Sequence, residues 1–258
     1  DVVMASKFDY KSMSDEQVMK RAMDHLLPQV RRAASASLGT RREKLTPLWT
    51  KYLKTGTPKQ KMLAIGQYGW WIPMEVRLPQ LDAIGAILRN PKEPLDVRVA
   101  AAGSIAYMKE HGLKYYMDIV KLVTLEKPDD PLGITDVGLG GLLNALCRDP
   151  FKEGLVTDEN KNAFYAAALK LGNHKRQHGR GPGMNMLGGM PLEDFHRVAD
   201  VVIHVIEDKD QSYHSYHNPG GPVASGIAIL ANLNIREGID YAMGIEKMPT
   251  GKFSFKAK

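Results

Sequence analysis

VRVAAAGSIA, residues 97–106, places apolar residues three and four positions apart with alanine and glycine among them, the pattern of a helix pressed closely against others. Two earlier stretches align with it without gaps: VRRAASASLG at 30–39 and QKMLAIGQYG at 60–69. One column of the alignment holds Arg31, Lys61 and Arg98. Two more hold small residues, Ala34 with Ala64 and Ala101, and Ala36 with Gly66 and Gly103. The offsets of 30 and 37 residues match one helix pair with its turns, the period of stacked helical repeats. Small residues in these columns let neighbouring helices approach, while the following helix supplies larger ones such as Leu78, Leu81, Ile84 and Leu88.

The rest of the chain has the same periodicity. Ser14-Asp15-Glu16-Gln17 forms a capping box, with the apolar positions Val18, Met19, Ala22, Met23 and Leu26 behind it. Further helices are expected at 41–54, 58–70, 76–90, 95–110, 113–126, 135–148, 159–172, 191–208, 221–233 and 236–247. No alternating, β-branched run bounded by a hairpin turn argues for a strand.

PLDVRVAAAGSIAYMKEHGLKYYMDIVKLVTLEK (94–127), with Asp96-Val97-Arg98 leading into alanines, resembles a unit of the HEAT and armadillo-like helical repeat families. NIREGIDYAMGIEK (234–247) resembles the second helix of another unit. The resemblance implies an all-α fold, a right-handed α-solenoid of about five HEAT-like helix pairs, whose curved surface binds a partner. Two stretches depart from the pattern. One is the Gly-rich helix GITDVGLGGLLNAL (133–146); the other is NHKRQHGRGPGMNMLGGM (173–190), read as a long Gly-rich loop inserted into the array. A second loop is expected at 209–220, and extended tails at 1–13 and 249–258, all within a single domain spanning 1–258. The chain starts at Asp1 and not at Met, so this reading allows it to be part of a larger multidomain protein.

Composition narrows the chemistry. A net charge of +6 and a pI near 9.2 permit attraction to nucleic acid, anionic polymers or acidic partners, but a moderately basic surface is also common in proteins that bind none of these. The single cysteine, Cys147, excludes an internal disulfide and a multi-cysteine zinc site, and its apolar neighbours make it a small buried hydrophobe. No run of apolar residues is long enough to span a bilayer, so no membrane insertion is expected.

Six of the eight histidines lie between His174 and His217. His174 and His178 stand four apart, but Lys175 and Arg176 between them would repel a metal dication, and no metal or cofactor is assigned. His196, Asp200, His204 and Asp208 form an i, i+4 ladder that could relay protons or bind a divalent ion with help from another repeat, or else a solvated helix face. The Gly-rich segment lacks the Gly-Lys-Ser/Thr ending of a phosphate-binding loop, yet Lys170, Lys175, Arg176 and Arg180 give it a positive patch. Its methionines, Met184, Met186 and Met190, with Leu187, suggest that it packs back on the helices.

The leading reading is a noncatalytic binding or scaffolding module that meets a protein partner, a neighbouring domain or an anionic ligand. Its binding residues are expected in two clusters: Lys175, Arg176, His178 and Arg180, then Tyr213, His214, Tyr216 and His217. Aromatic residues offer a competing surface, because Trp70 and Trp71 are adjacent and cannot both face one interior. Two rivals remain. One is a nucleic-acid-binding repeat protein, or a DNA glycosylase of the HEAT-like type, using Asp82 with Trp70 or Trp71. The other is a hydrolytic or carbohydrate-active enzyme using His196, Asp200, His214 or His217.

Overall fold

Helices begin where a side-chain oxygen can take up their free N–H groups. In this computed structural model, which describes residues 8–175, 177–207 and 221–235, Ser14 and Gln17 close the expected capping box on α1 (Asp15–Asp24). Thr57 and Gln60 do the same for α4 (Pro58–Gly66). Between them lie α2 (Pro28–Gly39) and α3 (Arg42–Thr55). The described residues form thirteen α-helices and three 3₁₀ turns, with no strand among them. No helix among them is long and apolar enough to cross a membrane. The chain divides into two compact units, Asp1–Gly112 and Leu113–Lys258.

The first unit continues with α5 (Met74–Arg77), a 3₁₀ turn (Leu78–Gln80), α6 (Leu81–Arg89) and α7 (Leu95–Ala106). The helix expected over 76–90 is thus interrupted at Leu78-Pro79-Gln80, since proline offers no N–H to the α-helical ladder. Sequential pairs α1–α2, α3–α4 and α6–α7 are in contact, and α3 touches α6 as α4 touches α7. The aligned columns explain this packing. Ala34, Ala64 and Ala101 are fully buried, where any larger side chain would hold the helices apart. Arg31 donates to the carbonyls of His25 (2.6 Å) and Leu26 (3.0 Å), and Arg98 to that of Leu88 (2.9 Å), so each ties its helix to the end of the preceding one. Lys61 in the same column pairs with Glu93. Residues 8–13 are pinned by Arg41, which donates to the carbonyls of Tyr10 and Met13.

The second unit opens with a 3₁₀ turn begun in the first (Lys109–Tyr115) and α8 (Tyr116–Thr124). It goes on through α9 (Ile134–Leu146), α10 (Lys161–Gly172), α11 (Gln177–Met186), a 3₁₀ turn (Leu192–Arg197), α12 (Ala199–Glu207) and α13 (Gly221–Asn232). Helix α11 corrects the sequence reading, because it lies within the expected Gly-rich loop. It packs against α9, α10 and α13. Three glycines and Pro182 cost about 6 kcal/mol in helix propensity. Burial of Met184, Met186 and Leu187, at roughly 1.5–3 kcal/mol each, offsets that cost. The glycines also permit the approach: a Cβ on Gly183 would stand 2.6 Å from the Gly172 nitrogen and 2.8 Å from the Ala168 carbonyl. The expected helices at 135–148, 159–172 and 221–233 are present within two residues at each end. The one expected over 191–208 breaks at Val198, and that expected at 236–247 lies outside the described residues, as does the tail at 249–258.

Candidate anion-binding groove

Of the two expected binding clusters, the described residues include only the Lys175 and Arg180 side chains. Lys175 is exposed. Arg180 is buried and donates its Nε to the His174 carbonyl at 2.7 Å, so it holds the turn before α11. His174 in turn bonds the Leu132 carbonyl through Nε2 (2.9 Å), its ring lodged where a Cβ on Gly133 or Gly179 would have to stand. Arg176, the His178 side chain, Tyr213, His214, Tyr216 and His217 lie outside the described residues. The His/Asp ladder is also broken. His196 sits on the 3₁₀ turn with Nδ1 against the Glu193 carbonyl (2.6 Å), while Asp200 and His204 lie exposed on α12; Asp208 is outside the described residues. Among the described residues no three His, Cys, Asp or Glu side chains could hold a metal. Cys147 is buried, and burial pushes its thiol above the ordinary range, which opposes a nucleophilic role.

A different site takes shape in the first unit. Of the chain's charged residues, 18 lysines and arginines stand against 11 acids in residues 1–112, and 17 against 18 in residues 113–258. The whole positive excess therefore belongs to the first unit. It is concentrated further: from Arg31 to Lys61 there are nine cations and one acid, Glu43. Some are neutralised, Arg41 and Lys44 by Asp15 (2.7 Å each), Lys59 by Asp24 (2.7 Å) and Lys61 by Glu93. Arg32 is exposed and has no hydrogen-bond or ion-pair partner among the described residues.

Arg32 borders a groove of about 530 Å³ between α2 and the end of α4, within the size range of ligand pockets. Ser35, Ala36 and Gly39 follow at helical spacing along its α2 wall; Gly66 and Gln67 form the opposite side. Ala36 and Gly66 belong to the second small-residue column. They are exposed, and a Cβ on Gly66 would meet open space, so smallness here opens the groove and does not bring helices together. Gln67 is buried and fixes the walls to one another: its Nε2 donates to Ser35 Oγ (3.2 Å), and its carbonyl accepts from Arg42 Nε (3.2 Å). That bond places the Arg42 guanidinium in the groove lining. A smaller lobe of about 360 Å³ shares Arg32 and Ser35 and adds Arg31 and Lys59. Its one carboxylate, Asp96, is turned to its own helix start, accepting from the Val97 N–H (2.9 Å).

Trp71 closes the larger lobe. It follows Gly69 in a turn, closed by the Ile72 N–H on the Gly69 carbonyl (3.0 Å), and buried Ile72 anchors the far end. Both central residues of that turn point outward: Trp70 is 66% exposed and Trp71 61%. Both indoles therefore face solvent, whereas Tyr116 is buried. The indoles meet edge to face at 6.1 Å and 84°, and the Trp71 ring occupies the space a Cβ on Gly69 would need. Glycine at 69 thus sets the ring's position. Aromatic rings contribute about 150–250 Å² each to cores and interfaces, so two adjacent exposed indoles beside the unpaired Arg32 guanidinium are an unsatisfied surface. Asp82, nominated from the sequence alongside the tryptophans, does not line the groove.

Sequence reasoning identified Trp70 and Trp71 but missed Arg32, Arg42 and Gln67. The signal for the arginines was the run of nine cations against one acid, diluted in a whole-chain charge of +6. Compared with known proteins, the chain matches no family model, no curated protein and no solved structure.

Proposed function

We propose that this chain is a noncatalytic binding module that receives an anionic ligand in the groove between α2 and α4. Its architecture in this reading is a HEAT-like array of helix pairs, supported in the first unit by the buried alanine column and by the Arg31 and Arg98 ties. The observation that carries the functional reading is Arg32, exposed and unpaired among the described residues beside Arg42 in a groove lobe lined by no carboxylate. A cation with no internal partner loses nothing when an anion arrives, whereas Lys59 or Lys61 would first have to leave a carboxylate. The test is titration of the protein with inorganic polyphosphate at low salt, followed by tryptophan fluorescence. Wild type is expected to bind, and Arg32→Glu to weaken binding at least tenfold while the circular dichroism spectrum is unchanged. Equal binding by the variant, or none by wild type, removes the groove as an anion site.

A further inference from the structure

We infer that the anionic ligand is a single-stranded nucleic acid, its phosphates on Arg32 and Arg42 and a base laid on the Trp71 indole. The inference rests on the anion-binding reading above and adds to it the role of the aromatic wall.

Phosphate alone would require only the cations. The groove adds a flat apolar surface at one end, held in place by the missing side chain of Gly69 and by the edge contact with Trp70. A ligand that uses both must carry negative charge and an exposed planar face in alternation. Proteins that hold single strands combine these two elements, a cationic groove along the backbone and aromatic rings under the bases. In a duplex the base faces are covered by their neighbours, so only an unpaired strand can offer one to Trp71. The order of the cations agrees. Arg32 and Ser35 are common to both lobes, with Arg42 in one and Arg31, its guanidinium bonded to the His25 and Leu26 carbonyls, in the other, so a strand running along α2 would pass all three arginines. A nucleotide brings one phosphate for each base. A sulfated polysaccharide brings denser charge without an unsaturated ring, and an acidic peptide makes no use of paired indoles.

The experiment measures binding of the full chain to four fluorescently labelled probes by anisotropy at low salt. These are a ten-nucleotide oligothymidylate, the corresponding oligouridylate, an abasic strand of equal length and the oligothymidylate paired with its complement. Heparin serves as an unlabelled competitor. Either single strand is expected to bind at least tenfold more tightly than the abasic strand and the duplex, with quenching of tryptophan fluorescence. Trp71→Ala should remove most of that advantage, roughly tenfold, and leave the abasic strand unaffected, whereas Trp71→Phe should restore part of it. Arg32→Glu should weaken all the strands. Melting curves of each variant establish that it is folded. Equal affinity for abasic and base-bearing strands, preference for the duplex, unchanged binding by Trp71→Ala, or heparin displacing the strands at far lower charge equivalents would overturn the inference. In those cases the anion reading stands as long as Arg32→Glu lowers affinity. Failure of every probe, together with polyphosphate, would overturn both.

Discussion

Asp136 is buried in the first turn of α9 and takes two ammonium groups, Lys127 at 2.6 Å and Lys170 at 3.0 Å. The same two lysines donate to carbonyls at the end of α8: Lys127 to Leu122 (2.6 Å) and Leu125 (2.9 Å), Lys170 to Val123 (2.8 Å). One carboxylate thus holds two cations at a helix C-terminus, where positive charge is favoured. Asp136→Asn would leave Lys127, whose side chain is 5% exposed, buried without a counter-charge beside a second ammonium. Breaking a buried pair from one side costs about 3–5 kcal/mol, so the melting temperature should fall by on the order of 10 °C. Asp158→Asn, at the exposed Lys161 pair, should leave it unchanged. Asp15 provides the pH-dependent counterpart. Bonds from Lys44 and then Arg41 hold its carboxyl below the usual range, so its contribution is present above the ordinary aspartate value of about 3.9. As pH falls through the lower folded value the contribution disappears. Melting curves of wild type and Asp15→Asn should accordingly differ at neutral pH and converge in acid. None of these partnerships was legible in the sequence. Lys170 reads there as part of a positive patch with Lys175, because its true partner lies 34 residues away.

At the scale of the element, α11 shows how tertiary packing overrides local preference. Gly179, Gly181, Pro182 and Gly183 all disfavour a helix, which is why the segment reads as a loop. What the sequence did show was the cluster of methionines that needed burial, and they are buried. The missing information was on the facing helices: Gly140 on α9 and Gly172 on α10 make room for α11, a Cβ on Gly140 falling 2.7 Å from Pro182. This predicts opposite signs for one kind of substitution. Gly183→Ala gains about 1 kcal/mol in helix propensity but drives a methyl group into backbone atoms that cannot rotate away, an overpacking cost of roughly 1–3 kcal/mol. Gly138→Ala on α9, where a Cβ meets open space, keeps the gain without the clash. Denaturant titration should therefore find the first variant less stable than wild type and the second more stable. Where helices had strong caps the sequence was a good guide, as at Ser14 and Gln17. It failed at 191–208, since no local signal marks the change from 3₁₀ to α at Val198 that takes His196 out of register with Asp200.

At the scale of the molecule, charge is divided more sharply than its total suggests, a net +7 in Asp1–Gly112 and −1 in Leu113–Lys258. The repeat columns were readable because they compare residues within the chain. The groove was not, because its walls join Arg32 to Gln67 and Trp71 across a helix pair whose packing had first to be known. Two positive regions now compete as the anion site, the groove and the segment around Lys175. Salt dependence separates them. Each phosphate neutralised on a single strand adds about 0.7 to the slope of log affinity against log salt concentration, as condensed counterions are released. If Arg32 makes one such contact, Arg32→Glu should flatten the slope by about 0.7 or more, besides lowering affinity at every salt concentration. Lys175→Glu, an exposed charge reversal in the second unit, should shift neither quantity beyond the small uniform loss caused by lower net charge. The reverse result, with Lys175→Glu flattening the slope and Arg32→Glu leaving it intact, would move the site to the α10–α11 turn and return the function to the residues first suggested by the sequence.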